Sequence, residues 1–116
     1  MKLKQIRCEI TLEEARKHEQ YRKIPDHILQ SIFLYVHEGR HPGHFLSAVL
    51  CNDLFEAVGR ADKEALVSLP ELVIFIHNRV PTCAYKIHGV PGPKAMNRWV
   101  KWHRDQVEEI DTDQEE

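Results

Sequence analysis

At 116 residues, 42% of them apolar, the chain is long enough for one domain with a modest core and too short for two. A formal net charge of −2 excludes gross electrostatic attraction to nucleic acid or anionic lipid. No apolar run nears the ~20 residues of a membrane span, no apolar segment follows the charged residues 1–7 as a secretory signal requires, and the three scattered cysteines, Cys8, Cys51 and Cys83, favour reduced buried thiols, so the chain reads as cytoplasmic.

In chain order, Ile6, Cys8 and Ile10 alternate with Arg7 and Glu9, which predicts a short extended arm. Thr11 and Glu14 have the spacing of a capping box, so a polar helix is expected from there to about Arg22, ended by Ile24-Pro25. Asp26 is a good N-cap for the next helix, whose apolar stripe is Ile28, Leu29, Ile32, Phe33 and Val36 and whose stop is Gly39. After a turn over 40–43, Phe45, Leu46, Val49, Leu50, Leu54 and Ala57 mark a third helix. Asn52 and Asp53 fall inside it beside the apolar stripe. A buried carboxylate needs a partner, so Asp53 should cap or pair with another element, such as Arg40, Arg60 or a backbone amide, open into a cleft or meet a ligand.

Asp62 begins a further helical pattern through Leu66, Leu69, Leu72, Val73 and Ile76. Pro70 predicts either a kink or a short helix followed by a second one with the proline in its first turn; a strand over 72–76 is the alternative to helix. Residues 80–93 carry three prolines and two glycines and read as a loop of about 13 residues, long enough to suspect function. Pro93 suits the first position of a last helix with Met96, Trp99, Val100, His103 and Val107 inward. The expected fold is all-α, a compact bundle of four to five helices over 1–107, with an acidic, disordered tail over 108–116.

The run Tyr35-Val36-His37-Glu38-Gly39, then Pro42-Gly43, Phe45-Leu46, Ala48-Val49-Leu50, Asn52-Asp53-Leu54, Glu56-Ala57 and Arg60-Ala61-Asp62, continuing through Asn78, Pro81 and Cys83, resembles a small uncharacterised family of bacteriophage and prophage proteins. The likeness covers residues 24 to 85 and is most specific from Pro42-Gly43 to Asn52-Asp53. It implies a small, mainly helical, phage-encoded protein of the host cytoplasm. The chain departs from the family pattern at Pro70 and at Cys83-Ala84-Tyr85-Lys86, where relatives carry Cys-Trp-Gly, and His37, His41 and His44 lie outside that pattern.

Several constellations bear on chemistry. His37, His41 and His44 straddle a turn with no carboxylate-histidine signature, which favours surface histidines over a metal site; His77 with Cys83 is weaker still. Cys51 has no nucleophile signature around it and reads as a small buried hydrophobe, so no catalytic residue is assigned. Pro42-Gly43 and Pro91-Gly92-Pro93 each precede a helix whose first amides favour an anion. Lys94, Arg98 and Lys101 form a basic stripe beside Trp99 and Trp102, a composition suited to a nucleotide or equally to a solvated face. Acidic residues interleave the basic clusters Arg16, Lys17, Arg22, Lys23 and Arg98, Lys101, Arg104, which weighs against nucleic acid.

The resulting expectation is non-catalytic binding of a small phosphorylated, nucleotide-like ligand by Arg40, Gly43, Asn52, Asp53, Asn78 and Tyr85, with Arg98 as a phosphate partner and with neither metal nor cofactor. By analogy with phage biology the ligand would be a nucleotide-derived signal of host immunity. The alternatives are an adaptor or inhibitor acting on a host protein, and a small hydrolase acting on a phosphorylated ligand. A homo-oligomer is expected because a small domain gains pocket depth between subunits.

Overall fold

The structure, a computed structural model, describes residues 7–115, with side chains placed through Asp105. Residues 1–6, and with them Ile6 of the expected arm, lie outside the described residues; the side chains of the expected acidic tail over 108–116 do too. Seven α-helices and one small hairpin account for the described chain: α1 (Leu12–Lys17), α2 (Asp26–Glu38), α3 (His44–Leu50), α4 (Leu54–Arg60), α5 (Lys63–Val67), α6 (Leu69–Arg79), β1 (Lys86–Ile87), β2 (Val90–Pro91) and α7 (Pro93–Glu115). The all-α expectation holds, with more and shorter helices than anticipated.

The extra breaks have local causes. Thr11 and Glu14 close the expected capping box, each side chain accepting from the other's backbone amide at 3.1 Å. The helix then stops at Lys17, short of Arg22, because His18 turns extended and its Nδ1 accepts the Gln20 amide (3.2 Å), starting a separate 3-10 turn over Glu19–Tyr21. Pro25 takes the N-cap position of α2 and Asp26 becomes its first helical residue, with no side-chain cap bond. Gly39 ends α2 at φ 71°, as its position predicts. A side chain there would also put a Cβ 2.8 Å from that of His103 on α7, so close passage of the two helices requires glycine as well.

The largest correction concerns the third helix, which divides at Asn52-Asp53. Asn52 adopts φ 59°, a left-handed conformation that asparagine tolerates better than other side chains. Its amide donates to the Val49 carbonyl (3.0 Å), and the Asp53 amide donates to that of Ala48 (2.8 Å), closing α3. The Asp53 carboxylate accepts the Glu56 amide (3.2 Å) and opens α4. The carboxylate expected inside a buried helix is therefore an exposed cap between two helices. Pro70 sits in the first turn of α6 after the short α5, the second of the two outcomes its position allows, and 72–76 is helix.

The core is built on α2 and α7. Trp99, Tyr35, Phe75, Tyr21, Leu29, Ile32, Leu50 and Leu72 are almost wholly buried. Their polar atoms are satisfied: the Trp99 indole donates to the Tyr35 carbonyl (3.1 Å), and the Tyr35 hydroxyl to that of Ala84 (2.6 Å). Tyr21 meets Phe75 edge-on at 5.0 Å and accepts from Arg79 Nε (3.0 Å). The described part of the arm is held in place too, since the Glu9 amide donates to the Arg79 carbonyl (3.0 Å) and the Cys8 amide to His37 Nε2 (3.2 Å). Burial pushes the Cys8 thiol up to about 12, in keeping with an inert buried cysteine.

Candidate functional site

Residues 80–93 are more ordered than a structureless loop. A 3-10 turn over Thr82–Ala84 leads into β1 and β2, paired antiparallel with Lys86 opposite Pro91 and Ile87 opposite Val90. Two residues, His88 (φ 51°) and Gly89 (φ 78°), make the turn, the double left-handed conformation that two-residue hairpins favour. Arg98 fixes the base of this hairpin from α7: its Nη2 donates to the carbonyls of Cys83 (3.3 Å) and Lys86 (3.1 Å).

Between the hairpin, α3 and α6 lies a cleft of about 320 Å³. Val49, Leu50, Val73 and Ile76 give it apolar walls, and Asn52, His77, Tyr85 and Lys86 bring polar groups to it. The volume falls near the lower end of the range for small-molecule sites. Asn52 reaches the cleft because the left-handed turn that ends α3 places it there. His77 projects from α6 one turn after Val73. Tyr85 is 5% exposed, and burial raises its hydroxyl above the usual tyrosine value, keeping it a neutral donor. Lys86 Nζ stands 5.4 Å from the centroid of the Tyr85 ring, so a cation and an aromatic face occupy the same wall.

Of the seven residues expected to bind ligand, Asn52 and Tyr85 meet in this cleft and the others are elsewhere. Asp53 caps α4 and lines a shallow groove of about 60 Å³ with Leu54, Ala57, Leu69 and Val73. Asn78 is exposed on α6 and does not line the cleft, unlike its neighbour His77. Arg40 is exposed and paired with Glu38 (3.1 Å). Arg98 donates from Nη2 to loop carbonyls at the base of the hairpin and does not line the cleft.

Gly43 borders a separate cleft of about 180 Å³ with His27, Ser31, His44, Arg60 and Asp62. The helix start expected to favour an anion is that of α3, with Gly43 as its N-cap. The Gly43 amide already donates to His41 Nδ1 (3.1 Å), and α3 has only seven residues to supply a dipole. Arg60 is held by Glu56 at 2.7 Å, and Asp62 accepts the Ala65 amide at 2.8 Å.

The other constellations disperse. His41 and His44 face each other edge-on at 6.2 Å while His37 turns to the Cys8 amide, and among the described residues no three of His, Cys, Asp and Glu come together to hold a metal ion. Cys51 lies against Met96, Sγ to Sδ 3.5 Å, and burial followed by the Asp53 carboxylate raises its thiol above the ordinary value, the opposite of an activated nucleophile. The first basic cluster is matched by acids, with Arg16 near Asp26 (3.6 Å), Lys17 on Glu13 (3.2 Å) and Lys23 at 4.0 Å from Glu71.

His77 and Lys86 are the cleft residues that sequence reasoning missed. His77 carried a usable signal, one helical turn beyond Val73 on the same face of a predicted helix. Lys86 carried little, because the hairpin that presents it turns on His88-Gly89 rather than on the commoner Asn-Gly or Asp-Gly. No helix among the described residues is long and apolar enough to cross a membrane. No protein-family model matches the chain, and neither a curated protein nor a solved structure matches it.

Proposed function

We propose that this protein binds a small phosphorylated, nucleotide-like molecule in the cleft between α3, α6 and the hairpin, and holds it without changing it. The observation that carries this reading is the convergence of Asn52, His77, Tyr85 and Lys86 around apolar walls in one cleft. Val49, Val73 and Ile76 suit the face of a base, Asn52 and the Tyr85 hydroxyl supply directional hydrogen bonds, and the Lys86 ammonium suits a phosphate. The cleft has room for a mononucleotide-sized ligand. The phage resemblance adds the biological setting, sequestration of a nucleotide-derived signal of host immunity, and that setting is analogy rather than residue chemistry.

Binding without turnover is favoured over hydrolysis because Cys51 is a protonated thiol packed on Met96 and Asp53 is a helix cap. The test is mass spectrometry of small molecules released by heating protein purified from cells that produce immune nucleotides. Thermal shift with a nucleotide panel accompanies it. Recovery of an intact nucleotide, with Lys86→Gln weakening its binding about tenfold or more at unchanged melting temperature, is the expected result. Neither recovery nor any shift across the panel overturns the reading, and recovery of a hydrolysed product replaces it with the enzyme.

Adaptor activity has an observation of its own, the large apolar side chains left exposed on α4 to α6, Phe55 at 92% foremost.

A further inference from the structure

The charge that the cleft between α3, α6 and the hairpin can balance is small and countable. Among the described residues, Lys86 is the one permanently charged side chain that lines it, and no Asp or Glu does. Its ammonium is available to a ligand, because the Tyr85 ring, at 5.4 Å, is its only partner among those residues. The arginines of the adjoining elements are engaged elsewhere. Arg98 donates to the carbonyls of Cys83 and Lys86, and Arg79, at the end of α6, to Tyr21 and Glu9.

The surroundings add negative potential rather than positive. The groove that carries Asp53 shares Val49, Asn52 and Val73 with the cleft, which sets that carboxylate at the cleft's edge. Ile76 and His77 reach the cleft from the last turn of α6, so this eleven-residue helix turns its carbonyl end, not its amide end, toward a ligand there. One negative charge on a ligand is matched by Lys86. A second would lie unpaired against apolar walls, with Asp53 and a helix C-terminus nearby, and burying an unpaired charge is costly.

We infer that the ligand of this cleft is a singly charged phosphodiester about one nucleotide in size, and not a phosphate monoester or a polyphosphate. This rests on the cleft reading and narrows it. A terminal phosphate carries about −1.5 to −2 at neutral pH, because its second proton leaves at about pH 6. A polyphosphate carries more. A diester has no second proton to lose and stays singly charged, so Lys86 alone balances it. The volume of about 320 Å³ seats one nucleoside with its phosphate. Esterification within the nucleotide, as a 3′,5′-cyclic phosphate, or to a second small alcohol gives the same charge.

Titration calorimetry of the full chain at neutral pH and low salt tests this with matched ligands. For each of the four common bases it compares the nucleoside, its 5′-monophosphate, the methyl ester of that monophosphate, the 3′,5′-cyclic monophosphate and the 5′-triphosphate. With the base that binds best, the tighter of the two diesters is expected to bind about tenfold or more tighter than the monophosphate, and the triphosphate to bind more weakly still. Which diester is tighter distinguishes a ring-closed ligand from an open one. In Lys86→Gln, at unchanged melting temperature, the advantage of the diesters over the uncharged nucleoside should shrink to within about twofold. A monophosphate or triphosphate that binds as tightly as the diesters overturns the inference and leaves the cleft reading standing. So does a diester advantage that persists in Lys86→Gln. Binding by no member of any series overturns the cleft reading and the inference together.

Discussion

α2 and α4 both look amphipathic in the sequence, and they end differently. α2 runs for thirteen residues and buries six of its side chains against α6, α7 and the arm, among them Tyr35 and Val36 with no exposure at all. α4 runs for seven, buries Ala57, and holds Phe55 into solvent. Apolar periodicity therefore reports that a face wants cover and says nothing of where the cover comes from. In α2 the partner is intramolecular. α4 packs on α3, but it buries the small Ala57 there and leaves the large side chains of Leu54, Phe55 and Val58 exposed.

Substitutions on the two sides sharpen this contrast. The largest expected effect is Trp99→Ala, which removes a buried indole from the α2–α7 contact and leaves the Tyr35 carbonyl without its donor; a loss of about 3–5 kcal/mol in denaturant unfolding is expected. Phe55→Ala, an equally drastic truncation, should change the stability of the dilute chain by no more than ~0.5 kcal/mol. Equal losses in the two variants would break the comparison.

A smaller effect is expected at the junction. Asp53→Ala removes the cap of α4 and should cost about 1 kcal/mol or less. Asn52→Gly keeps the left-handed turn open and should fold as the parent does while weakening ligand binding, whereas Asn52→Ala would mix backbone strain with loss of the amide.

The smallest is a slope rather than a step. Burial holds His37 below the ordinary imidazole value, with Arg7 and His103 acting in the same direction and Glu38 against them. Burial also lowers His103, opposed by its bond to the Val36 carbonyl and by Glu38. Below the ordinary range, about 6.5, the unfolded chain binds protons that the folded one does not, so this stability is full above that range and is lost as pH falls through the lowered folded values. His37 Nε2 accepts the Cys8 amide only as the neutral ring, so the protection of that amide, its exchange measured against the intrinsic rate at the same pH, should fall on acidification. A Tm independent of pH between 7 and 5 would contradict both assignments.

Much of the fold was legible because local rules carried it. The Thr11-Glu14 capping box, the Gly39 stop and Pro70 in a first turn all rest on residues a few positions apart. The division of the third helix was missed because its apolar spacing continues in register across the break: Val49, Leu50, Leu54 and Ala57 read as one stripe. What decides the break is the Asn-Asp pair itself, asparagine as a left-handed stop and aspartate as a cap, the same two residues read as buried polarity. The cleft was half visible. Asn52 and Tyr85 were identified, while Lys86 depended on a hairpin with an uncommon turn and Arg98 on a contact across the fold that charge patterning cannot supply.

That contact has a consequence for recognition. With Arg98 clasping the carbonyls on either side of Ala84 and Tyr85, and Tyr35 holding the Ala84 carbonyl, the segment that presents Tyr85 and Lys86 is tethered at three of its backbone carbonyls, those of Cys83, Ala84 and Lys86. A molecule entering the cleft would meet a wall already set in its bound form, with little chain entropy left to lose. Release, not capture, would then be where affinity is tuned, and loosening Arg98 from α7 would shorten residence without touching a single group that faces the ligand.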